Sequence, residues 1–291
     1  MEKHVFKFGG NSWAVVLPKA WIERNGVDKG KLLLMNEDDS GNLVVSAGTV
    51  ANKEAELILD PGVSPEVAGR WAGLYYRAGV KKLTIYAKGD NAGSIFKFIQ
   101  DFIKSYCPGF EVTGRSSKTM IITDFTDIKD AKPEMIFMRI KSIIEEELKF
   151  MGAGDMAGIA YSEDTVNRFF TLGLRYVNMV GGRDAVRDFD ILQLLEIISD
   201  ELYEISKGSI SKKNLSIFGE LGKELELCFS ALAGNYNALE AAVANRDKIF
   251  KSLPGRFDRL DAYLLTEITK NMIKIAEFCL EAKQKESSMA P

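Results

Sequence analysis

The chain has 291 residues, 46% of them hydrophobic, and a formal net charge of −3. That length predicts two or three domains, and the near-balanced charge excludes a chain coated in basic residues. A single histidine, His4, excludes catalytic triads and histidine-rich zinc centres within one chain. The cysteines, Cys107, Cys228 and Cys279, are far apart and offer neither a disulfide framework nor a CxxC pair, so a reducing cytoplasm is expected. No apolar run reaches transmembrane length and nothing resembles a secretory signal, so no membrane insertion is expected.

Residues 1–47 read as one unit. Val5–Phe8 and Trp13–Leu17 are strand-like, and Gly9, Gly10 and Asn11 between them predict a turn or bulge. Pro18 suits the first position of a short helix to about Asn25, which Gly26 ends. Leu32–Asn36 and Leu43–Ser46 read as strands across an Asp38-Asp39-Ser40-Gly41 turn. So small a piece buries too little surface to fold comfortably alone, so a second copy is expected to complete it as a homodimer. Residues 1–31 carry six Lys/Arg against three acids, which a dimer would double. Trp13 and Trp21 are expected to pack inside that dimer.

Residues 48–130 read as a small α/β domain. Leu57–Leu59 and Leu83–Ala87 are strands, Ser64-Pro65-Glu66 opens a helix to about Ala78, and Gly79 stops it. Apolar residues at Ile95, Phe96, Phe98, Ile99, Phe102 and Ile103 give Asn91–Tyr106 a helical period, and Phe110–Thr113 with Thr119–Thr123 read as a hairpin. Trp71 and Tyr75, four apart on a helix, suggest burial. The Lys88–Ser94 loop before a helix could hold an anion, although an ordinary capped turn is the better explanation of a lone glycine-rich loop.

Residues 131–291 are helical nearly throughout, with helices expected near 133–151, 163–180, 187–207, 214–234, 236–253 and 257–283. The first carries Met135, Ile136, Ile140, Ile143, Ile144 and Leu148 along one stripe, and Met135, Met138 and Met151 are assigned to the core. Gly152–Gly158 is expected to be a loop. Six such helices divide as two stacked antiparallel three-helix bundles. The fold class is thus α+β and multidomain.

Two family resemblances follow from these residues. Lys7, Gly9, the Val15–Lys19 run, Ile22, Gly26-Val27 and Asp28-Lys29-Gly30 resemble the AbrB/SpoVT swapped-hairpin family. That resemblance implies a dimeric β-barrel of interleaved hairpins which presents basic side chains to DNA; by position these are Lys3, Lys7, Lys19 and Arg24. Ala14 stands where DNA-binding members usually carry Arg, and Glu23 replaces a basic residue on the helix. Further along, Glu163–Phe170, Leu195–Ile205, Asn245–Ile249 and Ile275-Ala276-Glu277 resemble PhoU, and the whole layout resembles archaeal PhoU-type regulators of phosphate uptake.

PhoU proteins typically carry Glu-x-x-x-Asp motifs that can hold iron or another divalent metal. The resemblance therefore implies a metal at Glu196 and Asp200, with Glu163 and Asp164 as partners from the neighbouring helix. The spacing suits this, because residues four apart share a helix face, though a solvated or salt-bridged face is the alternative. In the second half Thr266, Glu267, Lys270 and Asn271 do not reproduce the pair.

The expected function is a non-enzymatic regulator that binds DNA and answers to phosphate status or to a transport or signalling partner. The alternative is an adaptor that dimerises without binding DNA and docks on a phosphate transporter. A di-metal carboxylate enzyme of ferritin type would need Glu-x-x-His pairs, and the only histidine is His4.

Overall fold

The computed structural model describes residues 2–10, 12–31, 33–37, 41–47, 54–126, 132–180, 184–208, 211 and 214–289. The chain separates into two compact units, Met1–Lys53 and Glu54–Pro291. The first contains β1 (Val5–Phe8), β2 (Ser12–Val15), α1 (Lys19–Arg24), β3 (Leu33–Glu37) and β4 (Leu43–Ala47). β1 pairs antiparallel with β2, Val5 opposite Val15 and Lys7 opposite Trp13, and β3 pairs antiparallel with β4. α1 stops where Gly26 turns to φ +57° and its N–H donates to the Glu23 carbonyl.

The closed barrel expected of this unit is not formed by the chain: its described residues make two separate two-stranded sheets. Closure requires every strand to be paired on both sides, and each of these short strands has one partner. Asn11, Leu32 and the expected turn at 38–40 lie outside the described residues, as do 48–53 and 127–131, where the expected domain boundaries fall.

The second unit begins with β5 (Glu54–Leu59), α2 (Pro65–Arg77), β6 (Lys82–Ala87), α3 (Ala92–Tyr106), β7 (Phe110–Arg115) and β8 (Thr119–Asp124). The strands form one sheet in the order β5-β6-β8-β7, parallel between β5 and β6 and antiparallel elsewhere. Period-two alternation turns Leu57, Leu59, Leu83, Ile85, Met120 and Ile122 inward, where Ala68, Ala72, Ile95, Phe96 and Ile99 of α2 and α3 cover them. The α2 start is as the sequence dictates: the Ser64 side chain accepts from the Val67 N–H at 3.3 Å and Pro65 opens the helix. Gly69 lets the two helices close up, since a Cβ there would lie 2.8 Å from the Phe98 ring. Trp71, expected inside, is 36% exposed.

Six helices follow: α4 (Pro133–Ala153), α5 (Met156–Val180), α6 (Ala185–Ser206), α7 (Ser216–Leu232), α8 (Tyr236–Ser252) and α9 (Arg259–Met289). α4–α6 pack as one group and α7–α9 as another, with α4 also against α7 and α6 against α9. One continuous apolar core runs through all six.

Two expectations for this region fail. The Gly152–Gly158 stretch is not a loop; the chain reverses at Gly154, φ +73°, and α5 restarts at Met156 with the Asp155 carboxylate accepting the Gly158 N–H at 3.0 Å. The residue at 158 must be glycine, because a Cβ there would lie 2.6 Å from the Phe150 ring. Met135 and Met138 are exposed rather than core, because the buried stripe of α4 passes through Ile136, Ile140, Ile143, Glu147 and Met151 instead.

Candidate functional site

The proposed DNA-contact residues all belong to the first unit, and Lys3, Lys7, Lys19 and Arg24 are all exposed. Lys7 shares the Trp13 face of the β1–β2 hairpin, while Lys19 and Arg24 stand at the two ends of α1. Lys19 Nζ lies 3.6 Å from the Glu23 carboxylate, so part of its charge is answered within its own helix. Many of the unit's apolar side chains are exposed as well, while Leu17, Trp21 and Ile22 are half-buried. None of its described residues with an assigned burial is buried, and Phe8 and Trp13 are 71% and 69% exposed.

The Lys88–Ser94 loop spends its cations locally. Lys118 Nζ donates to the Gly89 carbonyl at 2.7 Å and lies 3.5 Å from Asp90, and Lys88 is paired with Asp60 at 2.9 Å. This is the ordinary-turn reading of that loop.

Of the carboxylates named from the helical motifs, Glu163, Glu196 and Asp200 fall close together in the α4–α6 bundle, while Asp164 is exposed and interacts with Tyr106 of α3. Glu163 and Asp164 lie on α5, Glu196 and Asp200 one turn apart on α6. The sequence reading missed the residue at the centre of this carboxylate layer, Glu147 of α4, whose side chain is wholly buried. Glu147 and Ser162 are equally far from the reversal at Gly154–Asp155, so the antiparallel hairpin sets them level. Ser199 of α6 donates to Glu147 Oε2 at 2.8 Å, while Glu147 Oε1 and the buried Ser162 Oγ have no hydrogen-bond partner. The signal for Glu147 was present: it occupies the position between Ile144 and Met151 where the stripe calls for an apolar residue.

Electrostatics follow from this crowding. Burial, with Glu163 and Asp200 nearby, pushes Glu147 up to about 8 despite the Ser199 bond. Burial and the charges of Asp200 and Glu163 push Glu196 up to about 7, and burial together with Glu267 and Asp200 does the same for Glu201. Glu163 and Asp200 are also raised, chiefly by burial. Tyr106 at the end of α3 feels the same layer, its hydroxyl raised by burial and by Asp164 and Glu163. Burial and mutual repulsion both favour the protonated forms of these carboxyls.

Glu163 is engaged by Asn167 Nδ2 at 2.7 Å. Among the described residues no group of three or more His, Cys, Asp or Glu side chains is placed to hold a metal ion.

The second bundle carries a related feature. Glu224 of α7 is also wholly buried, Asn245 Nδ2 of α8 donates to its Oε2 at 2.7 Å, and its Oε1 has no partner. Burial pushes it up to about 7, against the Asn245 bond and the Arg246 charge. Among the described residues no helix is long and apolar enough to cross a membrane. In comparisons with known proteins the chain matches no family model, no curated protein and no solved structure.

Proposed function

We propose that the chain is a dimeric regulator of the PhoU type. Its first unit pairs with that of a second copy and presents Lys3, Lys7, Lys19 and Arg24 to DNA. The six helices receive a signal of phosphate status or of a transport or signalling partner. One observation carries this reading: the β1–β2 hairpin bears apolar side chains on both faces. Val5, Trp13 and Val15 line one face and Phe6 and Phe8 the other, all exposed in the single chain. A two-stranded sheet with a wet face places polar residues there, whereas apolar residues on both faces call for material on both sides. An interleaved second copy supplies that material. The link to phosphate rests on the PhoU resemblance alone.

Mobility shifts on DNA upstream of phosphate-transport genes, across a salt series, test the reading. Four basic residues per chain, doubled in a dimer, set a limiting slope of log K against log salt of about −7. A protein that is dimeric and yet gives no shift at low salt is instead the transporter-docking adaptor. The Lys19–Glu23 pair and Ala14 favour that second reading, since they lower the positive charge of α1 and the hairpin.

A further inference from the structure

Within the second unit, α5 reaches beyond its own bundle and completes the end of another helix. The last carbonyls of a helix have no intrahelical partner. At the C-terminus of α2 the Leu74, Tyr75 and Tyr76 carbonyls accept the Ala78, Val80 and Gly79 N–H groups, and α5 adds donors from outside: Arg175 Nη1 donates to the Tyr76 carbonyl, Asn178 Nδ2 to the Arg77 carbonyl at 3.1 Å, and Arg175 Nη2 to the Val80 carbonyl just beyond the helix at 3.3 Å. The guanidinium also sits 2.5 Å from Asp124 Oδ2 of β8, with both side chains wholly buried. Its carbon lies 4.6 Å from the Tyr76 ring centroid and 5.7 Å from that of Phe110. Gly79, at φ +79°, leaves room for the next turn of α5, since a Cβ there would lie 2.6 Å from Met179 Cγ.

We infer that Arg175 and Asn178 form a latch by which α5 caps α2 in trans, so that the α/β layer keeps its packing only while α5 is docked. Each part of the latch is worth most when the others are present. The cation answers the negative end of the α2 dipole, the buried carboxylate of Asp124 and two aromatic faces at once. Lys81 also reaches Asp124 at 2.7 Å, from the rim, and donates as well to the Thr126 carbonyl at 2.7 Å. Undocking α5 leaves Asp124 with Lys81 and Thr126 only and takes the side-chain donors from the Tyr76, Arg77 and Val80 carbonyls, several buried bonds lost at once. The same helix carries Glu163 of the carboxylate layer, so α5 joins that layer and the β-sheet in one rigid element.

Hydrogen exchange on the full chain tests the latch. In Arg175→Met, amides of residues 74–80 and 119–124 are expected to exchange about a hundredfold faster, with those of α7 and α8 unchanged. Arg175→Lys, which keeps the charge but not the three-way reach, is expected to fall between, about tenfold faster. Unchanged exchange at 74–80, or an equal rise in α7 and α8, overturns the inference, the latter because Arg175 would then be a general support of the unit. Should Arg175→Met not fold, Asn178→Ala decides, because Asn178 is exposed. A rise of roughly threefold confined to 74–80 is expected there, and none refutes the latch.

Discussion

In the first unit Phe8 and Trp13 stand 71% and 69% exposed, whereas in the second Glu147, Glu224 and Arg175 are wholly buried. The two units therefore depart from ordinary burial in opposite directions. Among the described residues of the first unit, four short strands and one short helix lay no layer over the hairpin, so its apolar side chains face water in the single chain. Eight helices and a four-stranded sheet give the second unit enough apolar burial to carry ionisable groups inside it. The contrast assigns a different kind of fragility to each unit. If the proposed dimer forms, the first depends on concentration, as any protein completed by association must; the second depends on pH and on a few buried polar bonds.

The largest expected effect attacks the first half of this contrast. Phe8→Glu with Trp13→Glu places charge on both faces of the β1–β2 hairpin. Four large side chains per dimer, at about 1.5 kcal/mol or more each, correspond to at least a roughly ten-thousandfold weaker dimer. Light scattering should show a monomer while circular dichroism shows the helices of the second unit intact. A wild-type chain that is itself monomeric would break the comparison, since the exposed faces would then be native as they stand.

Next in size is the buried acid of the first bundle. Burial and like charges raise Glu147 from 4.5 to about 8 in the folded state. The folded protein thus holds a proton that the unfolded chain releases, so stability is fullest below about pH 4.5 and falls as pH rises toward 8. Glu147→Gln keeps the Ser199 bond and removes the titration. It should gain on the order of 3 kcal/mol relative to wild type between pH 5 and 9, read from urea unfolding at each pH. Glu224→Gln should gain less, roughly 2 kcal/mol, because Asn245 and Arg246 already favour the ionised form and the rise stops near 7. Equal slopes for the two variants would show that the acids around Glu147 add nothing to burial.

Much of this fold is legible in the sequence for a local reason. The helices of the second unit follow from stripes such as Ile140, Ile144 and Leu148, and the α2 start from Ser64-Pro65-Glu66, where cap and helix former stand side by side. The starts of the expected helices fall within a few residues of the observed ones on such signals, except that of α5, which lies at Met156 rather than near 163. Arg175 was not legible, because nothing near Leu174 or Tyr176 announces a partner, and Asp124 lies on a different element far back in the chain. Gly152–Gly158 misled for the opposite reason. Glycine ordinarily breaks a helix, yet Gly158 is required by the Phe150 ring, a neighbour brought close only by the hairpin itself. At the carboxylate layer the motif residues Glu163, Glu196 and Asp200 were named, while Glu147 was passed over because it sits in a run of three glutamates that looks solvated. The polar residue on the apolar stripe was the better signal.

The smallest effect concerns the charge surface of the first unit. The Lys19–Glu23 pair is exposed on both sides, so removing it with Glu23→Ala should change stability by no more than about 0.5 kcal/mol. Its effect on DNA should be larger than its effect on folding, because a neutralised lysine is returned to the surface in each copy. At low salt the affinity should rise about threefold to tenfold, the gain shrinking as salt screens the exposed charges. A salt titration of the variant beside wild type separates the two readings of the hairpin unit. A steeper slope means that Lys19 meets phosphate; parallel lines mean that α1 faces elsewhere and the unit serves association alone.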